Sequence, residues 1–102
     1  MKKFIIDIDG TICTDSRGQY ELARPMPNRI EYFNSLHKMG HEVVYWTARG
    51  SNSGKDWSEL TKQQLEDWGV KYTELKMGKP AYDFWIDDKA YNGNRFFDEL
   101  YF

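Results

Sequence analysis

Short apolar runs that alternate with helical segments constrain the fold of this chain more than any other feature. Lys3–Ile6 and Glu42–Trp46 are β-branched and aromatic runs of strand length, and each gives way to polar residues. Between them, the segment from Pro27 to about Met39 carries apolar residues over half of a helix circumference and stops at Gly40. Because a helix is the usual connection between parallel strands, this order predicts a parallel sheet.

The second half of the chain repeats the same order. A capping-box pattern at Asp56 begins a helix that ends before Gly69. Two short strands are predicted next, Tyr72–Leu75 and Phe84–Ile86, and the terminal segment Arg95–Phe102 is expected to form one or two helical turns. The predicted fold is therefore α/β, a single domain over residues 1–102 with a Rossmann-like, doubly wound parallel sheet between two layers of helices.

The composition indicates a globular chain and narrows the class of partner. Of the 102 residues, 40% are hydrophobic, and no apolar run approaches the roughly 20 residues of a membrane span. The apolar run near the start stops at Asp7, which argues against a signal peptide, so we expect a cytoplasmic protein with no membrane partner. The net charge of −2 lacks the basic excess of nucleic-acid-binding proteins, so nucleic acid is not the favoured partner.

Several conspicuous residues have ordinary structural interpretations. Cys13 is the only cysteine, so it cannot form an internal disulfide and is expected to be a small buried thiol. His37 and His41 lack the spacing of metal ligands and are expected at the surface. The tryptophans could stack on bases, but their place in strands and on a helix face favours core packing. They are Trp46, Trp57, Trp68 and Trp85.

Reactive side chains follow three of the predicted strands. Asp7 and Asp9 come after the first, Thr47 after the second, and Asp87 with Asp88 after the fourth. Because ligands of a parallel sheet collect beyond the carboxyl ends of its strands, we expect these five side chains to meet at one edge. Four carboxylates there would repel one another unless a cation neutralised them, and Mg²⁺ prefers such oxygen ligands.

Lys79 precedes the fourth predicted strand and would add a fixed positive charge for a phosphate or a nucleophile. Taken alone, each of these residues has a structural explanation, such as a turn-capping aspartate, a strand-end threonine or a solvated loop lysine. Only their joint occurrence at separate strand ends favours chemistry.

In this order, the reactive residues resemble the four motifs of the haloacid dehalogenase superfamily. The motifs are Asp7–Thr11 (DIDGT), Thr47, Lys79, and the pair Asp87 and Asp88. The resemblance covers almost the whole chain. It implies that Asp7 is a nucleophile that attacks phosphorus to give an aspartyl phosphate, and that Asp9 is the general acid and base.

The same resemblance implies roles for the other motif residues. Asp7, the main-chain carbonyl of Asp9, and Asp87 would hold magnesium, with Asp88 beside them. The phosphoryl group would be held by Thr47 and the main chain of Ala48 and neutralised by Lys79. Gly10 and Thr11, in the first motif, are expected to line the substrate site.

No room is left for the cap domain that many members of this superfamily insert between motifs. About 30 residues separate the first motif from the second and the second from the third, and each interval is used by a helix. The chain thus resembles the capless branch, in which loops or neighbouring subunits set specificity. We expect specificity to lie in a flap over residues 13–24 and in the loop 49–55.

Three basic residues in these two segments are candidate substrate ligands. Arg49 would either bind a distal anion of the substrate or pair with a surface carboxylate. Arg24 and Lys55 are the weaker candidates. Within the superfamily, Tyr45–Gly50 and Ile86–Ala90 resemble a small bacterial and phage group that is linked to surface-polysaccharide genes.

The implied function is a magnesium-dependent phosphomonoesterase for a small phosphorylated metabolite, such as a sugar or polyol phosphate used in surface polysaccharide. An open site would also admit a nucleic-acid end, although the acidic balance disfavours this. A receiver-like phosphoacceptor domain would need an aspartate after the third strand, where residues 72–76 offer only Glu74. A non-catalytic binding domain and association into homo-oligomers stay open, and the sequence does not name the substrate.

Overall fold

The computed structural model describes residues 1–100, and its elements follow the predicted order of strands and helices. The strands are β1 (Lys3–Ile6), β2 (Glu42–Trp46) and β3 (Glu74–Lys76), and the helices are α1 (Pro27–Lys38), α2 (Ser58–Asp67) and α3 (Gly93–Glu99). A short 3-10 helix, Tyr20–Leu22, lies in the flap. None of the helices in the described part of the chain is both long and apolar enough to cross a membrane.

The three strands form one parallel sheet in the order β1-β2-β3. The bounds of β1 and β2 agree with the sequence prediction, whereas β3 begins two residues later than predicted. The register pairs Ile6 with Tyr45, and Tyr45 with Leu75, so the carboxyl ends of the strands lie along one edge. The α/β class and the parallel sheet are therefore confirmed.

The apolar core lies against one face of this sheet. Because side chains alternate along a strand, Ile6 and its register partner Tyr45 share a face. They belong to one buried cluster with residues of both long helices, including Phe33 of α1 and Leu65 of α2. On the other face Val44 is buried, whereas Ile5 is 61% exposed. Within residues 1–100 the cluster shared with the helices draws its strand residues from the first face, so the expected cover of helices on both faces is not seen there.

The predicted fourth strand is not formed in the described structure. Phe84 and Ile86 are 85% and 94% exposed, and residues 81–92 form no regular element. Trp85, expected in the core, places its ring edge against Trp46 with centroids 6.1 Å apart and is itself 43% exposed. The connection explains the difference: only residues 77–83 separate β3 from this run, whereas a parallel crossover takes about a dozen or more.

The last helix begins earlier than predicted because Asn92 caps it. The Asn92 side chain accepts hydrogen bonds from the main-chain amides of Asn94 and Arg95, which are free donors at a helix start. Phe97 then packs its ring edge against Phe33 of α1 at a centroid distance of 5.3 Å. The end of the predicted terminal helix, residues 101–102, lies outside the described residues.

The capping box predicted at Asp56 takes another form. The main-chain amide and hydroxyl of Ser58 both donate to the same Asp56 carboxylate oxygen, at 2.8 and 2.6 Å. The flap is closed at its base, where the amide of Thr14 donates to the carbonyl of Arg24 at 2.9 Å. It therefore forms a compact loop beside the carboxyl edge of the sheet.

Candidate active site

Asp7 and Asp9 lie in a tight turn directly after β1. The amides of Thr11 and Ile12 both donate to the carbonyl of Ile8, and Gly10 adopts a positive φ of 81° that few other residues tolerate. The Asp7 side chain is 38% exposed and that of Asp9 is 18% exposed. The turn thus presents two carboxylates at the sheet edge, in different degrees of contact with solvent.

Lys79 pairs with Asp7, as the predicted meeting of strand ends requires. Its Nζ lies 3.6 Å from Asp7 Oδ1, and the lysine side chain is only 15% exposed. The main chain holds it there, because the amide of Lys79 donates to the carbonyl of Thr47 at 3.0 Å. Ser51 adds a hydroxyl hydrogen bond to the carbonyl of Lys79. A cation is therefore fixed beside the candidate nucleophile.

Burial raises the pKa of Asp7, and the positive charge of Lys79 offsets this effect only in part. The Thr11 hydroxyl lies 3.5 Å from the second Asp7 oxygen, at the limit of a hydrogen bond. Arg29 donates to the carbonyl of Thr11 at 3.2 Å and steadies this side of the turn. The Asp7 carboxylate is thus only weakly solvated and lightly bound, which suits a nucleophile.

Arg49 binds Asp9 instead of facing a substrate. Its Nε and one terminal nitrogen donate to the two Asp9 oxygens, each at 2.9 Å, in a bidentate pair. The other terminal nitrogen donates to Thr61 at 3.1 Å and to Gln64 at 2.6 Å. The arginine side chain is fully buried, and its guanidinium lies 4.7 Å from the ring centroid of Tyr20.

Of the two alternatives for Arg49, the pairing with a carboxylate is seen, although the pair is buried and not at the surface. Binding of a distal substrate anion stays a prediction, which this pairing does not favour. Four of the five N–H donors of Arg49 are taken by these acceptors inside the protein. Burial acts to lower the pKa of Arg49, but the hydrogen bonds and charge of Asp9 outweigh it and raise that pKa above its ordinary value. The guanidinium consequently stays charged inside the protein.

The hydroxyl of Thr47 and the main chain after it form a second tight turn. Thr47 is buried, and its Oγ accepts the amide of Arg49 at 3.1 Å. The carbonyl of Ala48 accepts the amide of Ser51 at 2.9 Å, while the Ala48 side chain is half-buried. Gly50 completes the turn, since a Cβ at this position would lie 2.1 Å from the carbonyl oxygen of Lys55.

Asp87 and Asp88 are not brought to the other acids. Both are exposed, and Asp87 accepts the amide of Lys89 at 3.3 Å within its own loop. Within residues 1–100 no three histidine, cysteine or acidic side chains cluster closely enough to hold a metal ion. The four-carboxylate arrangement expected from the sequence is thus only half assembled, and its two acids are paired with Lys79 and Arg49, so the described residues as placed do not form a magnesium site.

The two remaining basic candidates lie outside this cluster. Arg24 is exposed, and its main chain closes the base of the flap. Lys55 is exposed and holds its ammonium 4.2 Å from the ring centroid of Trp57. A shallow cavity of about 190 Å³ runs from Lys55 and Trp57 to Met77 and Gly78, directly before Lys79. Lys55 therefore flanks the site, and no contact links Arg24 to it.

Four residues that contribute to the site escaped the sequence prediction. Tyr20, Thr61 and Gln64 surround Arg49, and the Cys13 thiol donates to Asp9 at 3.5 Å. Burial, followed by the charge of Asp9, raises the pKa of the Cys13 thiol to about 12, so the thiol keeps its proton. The sequence does carry one signal for this cluster, on α2, where the polar residues Thr61 and Gln64 interrupt the apolar face.

Comparison with known proteins identifies the family of the chain through structure. No protein-family model matches the chain, and no curated protein matches it either. A crystal structure of a structural-genomics target from Vibrio cholerae matches with a TM-score of 0.83 and 30% sequence identity. The match covers 94% of this chain and 87% of the other.

The chain belongs to the family of that Vibrio cholerae protein. The name of that structure states no activity or ligand. The shared family therefore supports the fold, and the chemistry has to be argued from the residues at the sheet edge.

The burial of Arg49 predicts a large difference between two arginine substitutions. Arg49→Ala removes the partner of Asp9 and leaves a cavity, so it should lower the free energy of unfolding by about 3 kcal/mol. Arg24→Ala, the matched control at an exposed position, should change it by no more than about 0.5 kcal/mol. Urea unfolding of both variants measures the difference, and equal effects would contradict the buried pair.

The raised pKa of Asp7 predicts that this residue reduces stability. Since burial disfavours its ionised form only in the folded chain, Asp7→Asn should raise the free energy of unfolding at neutral pH. The gain should shrink as the pH falls through the folded pKa and vanish below the ordinary value of 3.8, where both states are protonated. Urea unfolding at several pH values tests this, with Asp83→Asn at an exposed position as control.

Proposed function

We propose that this protein is a phosphomonoesterase that works through an aspartyl phosphate on Asp7. The observation that carries the proposal is the pairing at one sheet edge of a partly open carboxylate with a held cation, Lys79, 3.6 Å away. A second carboxylate, Asp9, lies two residues further along the same turn. Nucleophile, charge neutraliser and proton carrier are therefore all within one small region.

The proposed reaction has two steps. An Asp7 oxygen attacks phosphorus while the bond from phosphorus to the ester oxygen breaks, and the leaving oxygen takes a proton from Asp9. Water then attacks the aspartyl phosphate, Asp9 takes the proton of the water, and inorganic phosphate leaves with Asp7 restored. Lys79 would offset the negative charge of the phosphoryl oxygens in both steps.

We further propose that residues 84–86 form the fourth strand of a Rossmann-like sheet of the haloacid dehalogenase type, against the free edge of β1. Phe84 and Ile86 are almost fully exposed, and burial would stabilise each by about 1.5 to 3 kcal/mol. Both ends of the segment are near the site, because Lys79 touches Asp7 and a Cβ on Gly93 would meet Thr11 at 2.8 Å.

Residues 77–83 are too few for the usual crossover helix, so this pairing requires the connection to run fully extended across the sheet. Residues 80–83 then reach about 13 Å, and a three-residue strand rises about 10 Å. The chain would have to use nearly all of this length to pass to the other end of β1 and return beside it. Asp87 and Asp88 would then follow the new strand, next to the turn that carries Asp7 and Asp9. Mutual repulsion of these acids opposes the movement, and a divalent cation offsets it.

With the strand in place, Asp7, the carbonyl of Asp9, and Asp87 would hold magnesium, and Asp88 would lie beside it. The ion would supply neutralisation of the transferring phosphoryl group. The net charge of −2 and the open site favour a small phosphorylated metabolite, with sugar or polyol phosphates as the first candidates. A screen of phosphorylated metabolites and oligonucleotides, compared by kcat/KM, decides among these classes.

Formation of the proposed strand at residues 84–86 should depend on bound Mg²⁺. Activity should vanish in chelator and return with Mg²⁺, and the amides of residues 84–86 should exchange with solvent more slowly when Mg²⁺ is present. Asp87→Asn should weaken both effects, whereas Asp83→Asn in the same exposed segment should leave them unchanged. Full activity after equilibration with chelator would exclude the metal, and unprotected amides would exclude the strand.

Substitutions of Asp7 and Asp9 should impair different steps of the reaction. Asp7→Asn removes the nucleophile, so neither turnover nor a phosphoenzyme should be detected. Asp9→Asn still permits attack on p-nitrophenyl phosphate, whose leaving group hardly needs a proton, but it slows hydrolysis of the intermediate by about 10² to 10⁴ fold. Rapid mixing should then show a burst approaching one p-nitrophenol per site. Absence of both burst and phosphoenzyme in Asp9→Asn would contradict the division of roles.

A further inference from the structure

We propose that Arg49 is a positioning residue for Asp9, and that Tyr20 of the flap and Gln64 of α2 hold Arg49 in place. The flap would in this way control the proton-transfer steps of the reaction, not the binding of phosphate. The inference rests on the proposed phosphatase function and adds to it a means by which the flap regulates the same site.

Arg49 has almost no freedom to move. Four of its five N–H groups have partners, two on Asp9 and one each on Thr61 and Gln64. Because the guanidinium is planar and rigid, these partners fix its orientation as well as its position. The Asp9 carboxylate, gripped at both oxygens, must take the orientation that the guanidinium gives it.

The flap completes this arrangement from above the guanidinium. The Tyr20 ring lies 4.7 Å from the guanidinium carbon, within the range of a cation–π contact. Gln64 binds both partners, since its oxygen accepts from Arg49 at 2.6 Å and its amide nitrogen donates to the carbonyl of Tyr20 at 2.7 Å. The ring of Trp57 packs against Tyr20 at 5.0 Å. Displacing the flap therefore removes one side of the Arg49 site.

The flap also touches Asp9 directly through its first residue. Cys13 is buried, and its thiol lies 3.5 Å from the Asp9 oxygen that Arg49 also binds. Asp9 is consequently held from two points of the same loop, once by Cys13 and once through Tyr20 and Arg49. Movement of the flap would change the position of Asp9 at both contacts.

The phosphate-binding half of the site meets Arg49 at its main chain and not at its guanidinium, because the Thr47 hydroxyl accepts the amide of Arg49. The partners of Lys79 are the Asp7 carboxylate, the carbonyl of Thr47 and the rings of Tyr82 and Trp85, all outside the flap and α2. Loosening the flap should therefore leave phosphate binding in place and impair the step in which Asp9 accepts a proton from water. This separation gives the proposal a signature that general loss of structure would not produce.

The test compares Gln64→Leu with Gln63→Leu, the same change one residue earlier on the same helix. Gln63 is exposed, and its side-chain amide donates to Asp67 at 2.9 Å. Gln64→Leu and Tyr20→Leu should lower kcat for an alkyl phosphate about 10- to 100-fold with little change in KM, and should show a burst on p-nitrophenyl phosphate. Tyr20→Phe, which keeps the ring, should retain most of the kcat of the parent protein. Gln63→Leu should resemble the parent protein.

Combination with Asp9→Asn separates positioning from a structural role. If Gln64 acts through Asp9, Gln64→Leu should cost little more in the Asp9→Asn background. Multiplicative losses, or equal losses on alkyl and aryl phosphates, would overturn the proposal. A rise in KM with kcat unchanged would also overturn it, because that result would place the flap in substrate binding.

A second measurement does not depend on turnover. Cys13 is the only cysteine, so its alkylation by iodoacetamide, followed by mass spectrometry well below the thermal midpoint, reports opening of the flap beside Asp9. Gln64→Leu and Tyr20→Leu should speed this reaction about tenfold or more, and Gln63→Leu should not. If the parent protein hydrolyses no phosphate ester, the proposed function is wrong. The alkylation rates still test whether Gln64 and Tyr20 hold the flap closed. Equal alkylation rates in all variants would overturn the proposed coupling of Gln64 and Tyr20 to the flap.

Discussion

One buried charge determines how the elements around the site fit together. The guanidinium of Arg49 is removed from solvent, and an arginine buried without partners would cost several kcal/mol. Its partners come from separate parts of the chain: Asp9 after β1, Thr61 and Gln64 on α2, and the ring of Tyr20 in the flap. Satisfying one planar group therefore brings a strand end, a helix and a loop into a single relative arrangement.

The two carboxylates of the first turn have contrasting surroundings, although only one residue separates them. Asp7 is 38% exposed and faces a single ammonium at 3.6 Å, so burial dominates and raises its pKa. Asp9 is 18% exposed and accepts two short hydrogen bonds from Arg49. Pairs of acids in unlike environments are a common basis for dividing the roles of nucleophile and proton carrier. Here the difference arises because the turn directs one side chain toward the loop after β3 and the other toward α2.

Local sequence pattern predicts the elements that it determines, whereas features that depend on tertiary contacts do not follow from it. The bounds of β1 and β2 and the approach of Lys79 to Asp7 followed from apolar runs and from the rule that parallel strands end together. The burial of Arg49 could not be read in that way, because its partners are 12 to 40 residues away in the chain. Residues 84–86 are of types that favour a strand, but the connection before them is too short for a helix. Residue type alone does not determine whether a segment reaches a neighbouring strand with which it can pair.

The segment at residues 81–92 carries a physical tension that the rest of the fold does not. Its apolar side chains Phe84 and Ile86 are exposed, and so is Ile5 on the edge strand β1. A free edge with apolar residues on both sides is an unfavourable surface, which proteins usually cover or charge. Asp87 and Asp88 supply such charge, but covering the edge with this same segment would bring them against Asp7 and Asp9. Hydrophobic burial and carboxylate repulsion therefore oppose each other in one short segment, and any ligand that neutralises the acids shifts the balance toward a closed sheet.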